Sequence, residues 1–217
     1  LQNFWEIIKN DIMAMFGDFY KGKLDIYRLN FAMITLIPKE EDATNMRKFR
    51  PINLLNCIFN VFTKVLINRV AVVMNFLTSS NQSAFIKGRY ILESVVTAHE
   101  VLHSTFHSNK VLKLDYEKAY DRISNEFLLK IMYQRGFSPK WMRKIKSILY
   151  KGSVGVRIND CNSDFFETFK GVREGDPASP LLFNFVADAM SHILSWAVAG
   201  HITLVSSHLI PQGITHL

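Results

Sequence analysis

Residues 111–121 read VLKLDYEKAYD. Val111 to Asp115 alternates, so Leu112 and Leu114 share one face of a short strand while Lys113 and Asp115 share the other. Asp115 is therefore expected to point away from the core, at the end of an apolar strand and just before a turn. A carboxylate held there is a rigid ligand for a divalent metal. Magnesium prefers oxygen donors, usually one or two carboxylates with phosphate oxygens and water. Asp115, Glu117 and Asp121 all fall within this stretch. Strand-end aspartates also commonly just cap the following turn, and these residues alone leave both readings open.

Downstream, Ser124 is a suitable N-cap for a helix through Arg135 that Gly136 ends. Ser138-Pro139 opens the next helix, which Gly152 is expected to close. Trp141, Ile145, Ile148 and Leu149 form its apolar stripe, and Lys140, Arg143, Lys144 and Lys146 lie elsewhere on its surface. Val154, Val156 and Ile158 alternate, and a turn at Asn159 to Ser163 leads into residues 164–169, a β-hairpin. The loop GVREGDPASP, residues 171–180, follows. Gly171 and Gly175 permit close backbone approach, Arg173 supplies charge, and a helix N-terminus suited to an anion comes next. An ordinary hairpin-to-helix connection rigidified by proline is the alternative. Ser179 is expected as N-cap with Pro180 in the first turn. The apolar run Phe183 to Ala199 is interrupted by Asn184, Asp188, Ser191, His192 and Ser195, so it reads as a buried helix and not a membrane span.

Upstream, Phe4, Ile7, Ile8, Met15, Phe16 and Phe19 recur at helical spacing, and Gly22 is a plausible stop. Phe31 to Ile37 reads as a strand ended by Pro38. Residues 39–51 are expected to form a loop carrying Lys39, Arg47, Lys48 and Arg50. Such a loop can clamp phosphates, although charge-rich loops are often merely solvated. After Pro51 a long helix is expected, with Leu54, Ile58, Phe62, Val65, Arg69, Val73 and Phe76 near one face. A loop, residues 78–89, precedes another helix from Ile91 to about Phe106. The mixture of strands, helices and a hairpin suggests α+β.

The chain has 217 residues, of which 48% are apolar and 21% charged, so it can bury a core and is not disordered. Lysine and arginine number 26 against 19 acidic residues, and the net charge of +7 favours a polyanionic partner. Cys57 and Cys161 are too few for a disulfide framework and lack metal-ligand spacing. No signal peptide is visible. The start lacks Met, which suggests a piece of a longer protein. An intracellular location, nucleus or cytoplasm, is expected. No membrane partner is expected, and nothing points to a homo-oligomer.

Five segments, LIPK (36–39), FRPINLLN (49–56), NQSAFIKGR (81–89), LDYEKAYD (114–121) and GVREGDPASPLLFN (171–184), occur in an order and at separations that resemble the reverse transcriptase of plant non-LTR (LINE-type) retrotransposons. The resemblance implies an α+β right-hand polymerase, with residues 1–105 mainly fingers and 106–217 a partial palm. It also implies a magnesium-dependent enzyme that uses an RNA template, a DNA primer and deoxynucleoside triphosphates. By the same resemblance Asp115 is the first metal-binding aspartate, and the Tyr116 carbonyl adds a metal contact. Tyr120 matches the aromatic gate beneath the incoming sugar, with a core aromatic as its alternative. Arg173, Glu174, Gly175, Arg50 and Lys39 match nucleotide-binding positions. Arg47, Lys48, Asp176 and Pro177 match template or primer contacts. Asp121 is expected to be a structural cap.

Two departures from the family pattern carry consequences. Position 174 is usually Gln; Glu174 accepts only when ionised and adds negative charge beside an anionic substrate. Position 178 is Ala where a larger aliphatic is usual. The family's other metal carboxylates lie in an Ala-Asp-Asp turn soon after a segment resembling LVSSHLIPQGITHL, where this sequence stops. Asp188, in mid-helix, is a poor substitute. The 217 residues are therefore expected to be a truncated fragment, inactive by themselves. The alternative is a non-catalytic nucleic-acid-binding remnant that uses basic clusters near Arg47 to Arg50 and Lys140 to Lys151.

Overall fold

The computed structural model describes residues 2–105, 114 and 116–200. Of the strand expected at Val111 to Asp115 only Leu114 is described, and it is exposed and outside any strand, whereas the alternation puts it on the core-facing side. Residues 111–113 and Asp115 lie outside the described residues. Helix α1 spans Trp5–Lys21, strand β1 Phe31–Pro38, β2 Phe49–Leu55, α2 Cys57–Ala71, α3 Met74–Leu77 and α4 Ile91–Thr105. Then come α5 Asn125–Gln134, α6 Pro139–Leu149, β3 Gly152–Ile158, β4 Cys161–Asn162, β5 Phe166–Thr168 and α7 Ser179–Gly200. The fold is α+β, as the sequence implied.

Strand β1 is the pivot of the sheet. It pairs antiparallel with β2 and parallel with β3, Phe31–Thr35 lying beside Ser153–Arg157. Strands β4 and β5 both run antiparallel to β3. The expected hairpin is present but splits into two short strands near Ser163, whose hydroxyl accepts from the Val156 amide at 2.9 Å. The parallel β1–β3 pair forces a long crossover carrying α2 to α6. Early and late segments consequently share one core. Phe59, Phe62 and Leu66 of α2 cluster with Phe19, Leu128, Met132, Ile145, Leu182 and Phe185.

Local capping chemistry fixes several boundaries where the sequence placed them. Gly22 adopts φ +77° and ends α1. Ser124 accepts from the Phe127 amide and Ser138 from the Trp141 amide, with Pro139 opening α6. Gly136 at φ +88° follows α5.

Other expectations are corrected. Residues 49–55 are strand β2, so Arg50 sits in a ladder opposite Ile37 and not in a loop. Helix α2 starts only after Asn56, whose side-chain oxygen accepts from the Ile58 and Phe59 amides at 2.8 and 3.3 Å. Its buried face is Phe59, Phe62, Thr63, Leu66, Ile67 and Val70; of the stripe expected from spacing, only Phe62 is buried. Apolar residues surround most of this helix, so periodicity does not select a face. In α1 the buried residues are Ile12 and Phe19, while Phe4 and Ile7 are exposed. Helix α6 ends before Gly152: Tyr150 is extended, Lys151 turns the chain at φ +55°, and Gly152 begins β3. Ser179 does not cap α7 but is its first residue, and its hydroxyl donates to the Arg173 carbonyl at 2.6 Å.

The polar residues that interrupt α7 are docking points. Asn184 accepts from Gln82 at 2.9 Å and donates to the Ala84 carbonyl at 2.7 Å. Asp188 is fully buried, accepts from the Ser79 amide and hydroxyl at 2.7 Å each, and pairs with Arg135. Arg89 donates to the carbonyls of Asn75, Thr78, Ser79 and Gln82. The segment 78–89 is thereby locked to α7. Among the described residues, no helix is long and apolar enough to cross a membrane.

Candidate functional site

Two segments far apart in sequence are joined through their backbones. The Gly171 amide donates to the Ile123 carbonyl at 2.8 Å and the Val172 amide to the Tyr120 carbonyl at 2.9 Å. Gly171 has φ +87°, and a Cβ there would lie 2.8 Å from the Asp121 carbonyl oxygen. Only glycine suits both that conformation and that approach. The loop then folds on itself: Asp176 accepts from the Ala178 amide at 2.8 Å, and its carbonyl accepts from the Ser179 amide at 3.0 Å. Gly175, at φ +91°, brings the loop against β2, where a Cβ would stand 3.2 Å from the Asn53 carbonyl oxygen.

A cavity of about 630 Å³ opens between these parts. Ile34 and Asn53 of the β1–β2 hairpin, Asp121, Lys170, Glu174 and Asp176 help to line it. Burial holds the Glu174 carboxyl above its ordinary range, Asp121 adds to this, and Arg50 and Lys39 oppose it. Burial raises the Asp176 carboxyl also, against the Ala178 amide, Thr63 and Arg173. The Tyr120 phenol is raised by burial and then by Glu174. Its ring stacks on Phe183, centroids 5.0 Å apart. The half-buried Tyr120 therefore stands within electrostatic reach of the Glu174 carboxylate on the cavity lining, which Lys39 and Arg50 also reach.

The structure brings Tyr120, Glu174, Gly175, Asp176, Lys39 and Arg50 to this region. Lys39 continues the hairpin beyond β1, its amide bonded to the Lys48 carbonyl at 2.8 Å and its ammonium to the Arg47 carbonyl at 3.1 Å. Arg47 and Lys48 lie on the exposed turn before β2, Lys48 paired with Glu40, and neither lines the cavity. Pro177 is half-buried in the loop, and Tyr116 is exposed. Arg173 turns inward: its Nη2 donates to the carbonyls of Asn30 and Ser153 at 3.3 and 3.4 Å. Nη1 is buried with no hydrogen-bond partner, and burial lowers the guanidinium pKa to about 10 against the pull of Asp176. Asp115 lies outside the described residues. Among those described, no group of three or more His, Cys, Asp or Glu side chains converges as a metal site, so they do not by themselves fit a two-ion centre.

Sequence reasoning missed three contributors. Asn30, buried, donates to the carbonyls of Ile148 and Tyr150 at 3.1 and 3.3 Å and so ties β1 to the end of α6. Gly152 leaves room for Arg173, because a Cβ there would fall 2.1 Å from Nη2. The third is a role: Asp121, expected as a structural cap, lines the cavity. A glycine opening a strand was the available signal for Gly152.

Comparison with known proteins agrees with this arrangement. Residues 37–206 match the family described as Reverse transcriptase (RNA-dependent DNA polymerase). The Transposon TX1 uncharacterized 149 kDa protein of Xenopus laevis is 27% identical over 203 residues, 92% of this chain and 15% of that protein. A Retrovirus-related Pol polyprotein from type-1 retrotransposable element R2 of Nasonia vitripennis is 28% identical over 191 residues, 86% of the chain and 18% of its own length. The Probable RNA-directed DNA polymerase from transposon X-element of Drosophila melanogaster is 25% identical over 167 residues, 72% of the chain and 18% of that protein. The chain spans under a fifth of each of these relatives. With the family match covering well over half the chain, in the segments that build the cavity, the protein belongs to the reverse transcriptase family and is a domain of the kind found in non-LTR retrotransposon proteins.

Proposed function

We propose that this domain is part of an RNA-templated DNA polymerase of a plant LINE-type element, with residues 1–105 serving mainly as fingers and 106–217 as a partial palm. The cavity receives a deoxynucleoside triphosphate beside an RNA template and DNA primer. The observation that supports this most is the backbone bonding of Tyr120–Ile123 to Gly171–Val172. It joins the segment of Tyr120, five positions after Asp115, to the loop of Gly175, and Asp121, Glu174 and Asp176 from these two segments line one cavity. Tyr120, backed by Phe183, packs beneath the sugar and rejects a 2′-hydroxyl. Lys39 and Arg50 attract the triphosphate from the hairpin end. Arg173 holds the loop in place through Asn30 and Ser153. Arg47, Lys48, Asp176 and Pro177 contact template or primer. Asp115 and the Tyr116 carbonyl are the oxygens assigned to magnesium, which neutralises triphosphate charge when bound.

Tyr120→Ala tests this reading. Bound to an RNA–DNA hybrid, the wild-type chain is expected to prefer deoxynucleoside over ribonucleoside triphosphates, and the variant to lose about tenfold of that preference. Equal preference in both proteins would overturn the assignment. Nucleotide-independent hybrid binding would favour a nucleic-acid-binding remnant.

A further inference from the structure

Away from the cavity, α1, α2 and α6 converge on Tyr20. The ammonium groups of Lys140 and Lys144 stand 4.0 and 3.8 Å from its ring centroid, and Lys144 also lies 5.5 Å from the Phe19 ring. Tyr20 is more than half exposed. Its phenol is lowered by a hydrogen bond from Lys140, by the charge of Lys140 and, more weakly, by Lys144 and Arg69. Burial lowers the Lys144 ammonium; Tyr20 opposes this, and Lys140 and Arg69 add repulsion. Among the described residues, none of Lys140, Lys144 and Arg69 joins an ion pair. A second such pair is Lys151, which sits 5.2 Å over the Tyr27 ring. None of these residues lines the cavity.

Two ammonium groups over one ring, with Arg69 within electrostatic reach and none of the three in an ion pair among the described residues, repel one another in the free protein. A phosphodiester relieves this repulsion, because bound phosphates separate like charges and release counterions. Rings hold the lysine stems in place, so less side-chain freedom is lost on binding. We propose that Tyr20, Arg69, Lys140 and Lys144 form a second nucleic-acid site, which grips the phosphate backbone of an RNA strand outside the polymerase cavity and without reading its sequence. The inference rests on the polymerase reading only for the choice of RNA as partner.

The test measures binding of the full 217-residue chain to a fluorescein-labelled RNA hairpin across a salt series. In Arg69→Gln/Lys140→Gln/Lys144→Gln the slope of log affinity against log salt should fall by roughly 2, and affinity at low salt by at least about tenfold. Circular dichroism melting checks that the variant keeps its fold; if it does not, Lys140→Gln/Lys144→Gln alone should reduce the slope by roughly 1. Lys39→Gln/Arg50→Gln, on the cavity side within electrostatic reach of Glu174, should lower affinity independently, so that the combined losses add. An unchanged slope in both patch variants would overturn the second site. If only the cavity-side variant lost affinity, the polymerase reading would stand and this inference fall. Patch-dependent binding to phosphatidylserine vesicles without RNA binding would assign the face to a membrane and overturn it too.

Discussion

Glu174 stands where the family usually has glutamine, and the structure sets its carboxyl against Asp121 and partly out of water. Its pKa is raised, so the neutral form predominates below that value and negative charge appears as pH rises through it. Triphosphate affinity should therefore fall with rising pH. Glu174→Gln should flatten the profile and tighten binding at neutral pH about fivefold to tenfold, as read by equilibrium titration with the nucleotide. Gly171 is a second single-residue constraint. Alanine there must adopt a left-handed backbone and press on Asp121, so Gly171→Ala should cost at least about 1–2 kcal/mol in denaturant unfolding. Both residues stood out in the sequence, one as a departure and one as a loop glycine. Gly152 did not, since its value depends on Arg173 arriving from across the sheet.

Among elements, the starts of α5 and α6 and the turn of the hairpin were legible because caps and turn residues act within a few positions. Strand β2 was not, because its ladder with β1 is a contact between segments that periodicity does not report. The face of α2 was hidden by its uniform apolarity. Helix α7 was read as buried, which holds for Leu182, Phe183, Phe185 and Asp188 but not for the exposed His192, Ile193 and Trp196, and the purpose of its polar residues emerged only from their partners. Asp188 joins α7 to the end of α5 and to the 78–89 segment, with a fully buried carboxylate paired to Arg135. Removing one member of such a pair leaves a buried charge uncompensated. Arg135→Ala should lower unfolding free energy by about 3–5 kcal/mol, and hydrogen exchange should show residues 78–89 opening first. A loss below about 0.5 kcal/mol, the scale of an exposed pair, would show that Ser79 and His192, whose Nε2 lies 3.5 Å from the carboxylate, hold Asp188 without Arg135.

At the scale of the whole molecule, the site exists because a long crossover returns the chain to where it began. Strand β3 lies parallel to β1, and that pairing carries the 171–178 loop across to Asn53 on one side and to Tyr120–Ile123 on the other. The five ordered segments revealed the family; the contacts between them were not readable, since nothing local marks the approach of residue 171 to 121. The basic charge divides between the hairpin end, near Lys39 and Arg50, and the separate face around Tyr20. On the proposed polymerase reading, the cavity between these joined segments receives the nucleotide. Photocrosslinking with an azido-deoxyadenosine triphosphate on an RNA–DNA hybrid, followed by peptide mapping, tests it directly. Labelling confined to peptides containing residues 120–123 and 171–176, and competed by unmodified deoxynucleotide, is the predicted result. Labelling elsewhere, or labelling that excess deoxynucleotide does not compete, would contradict it.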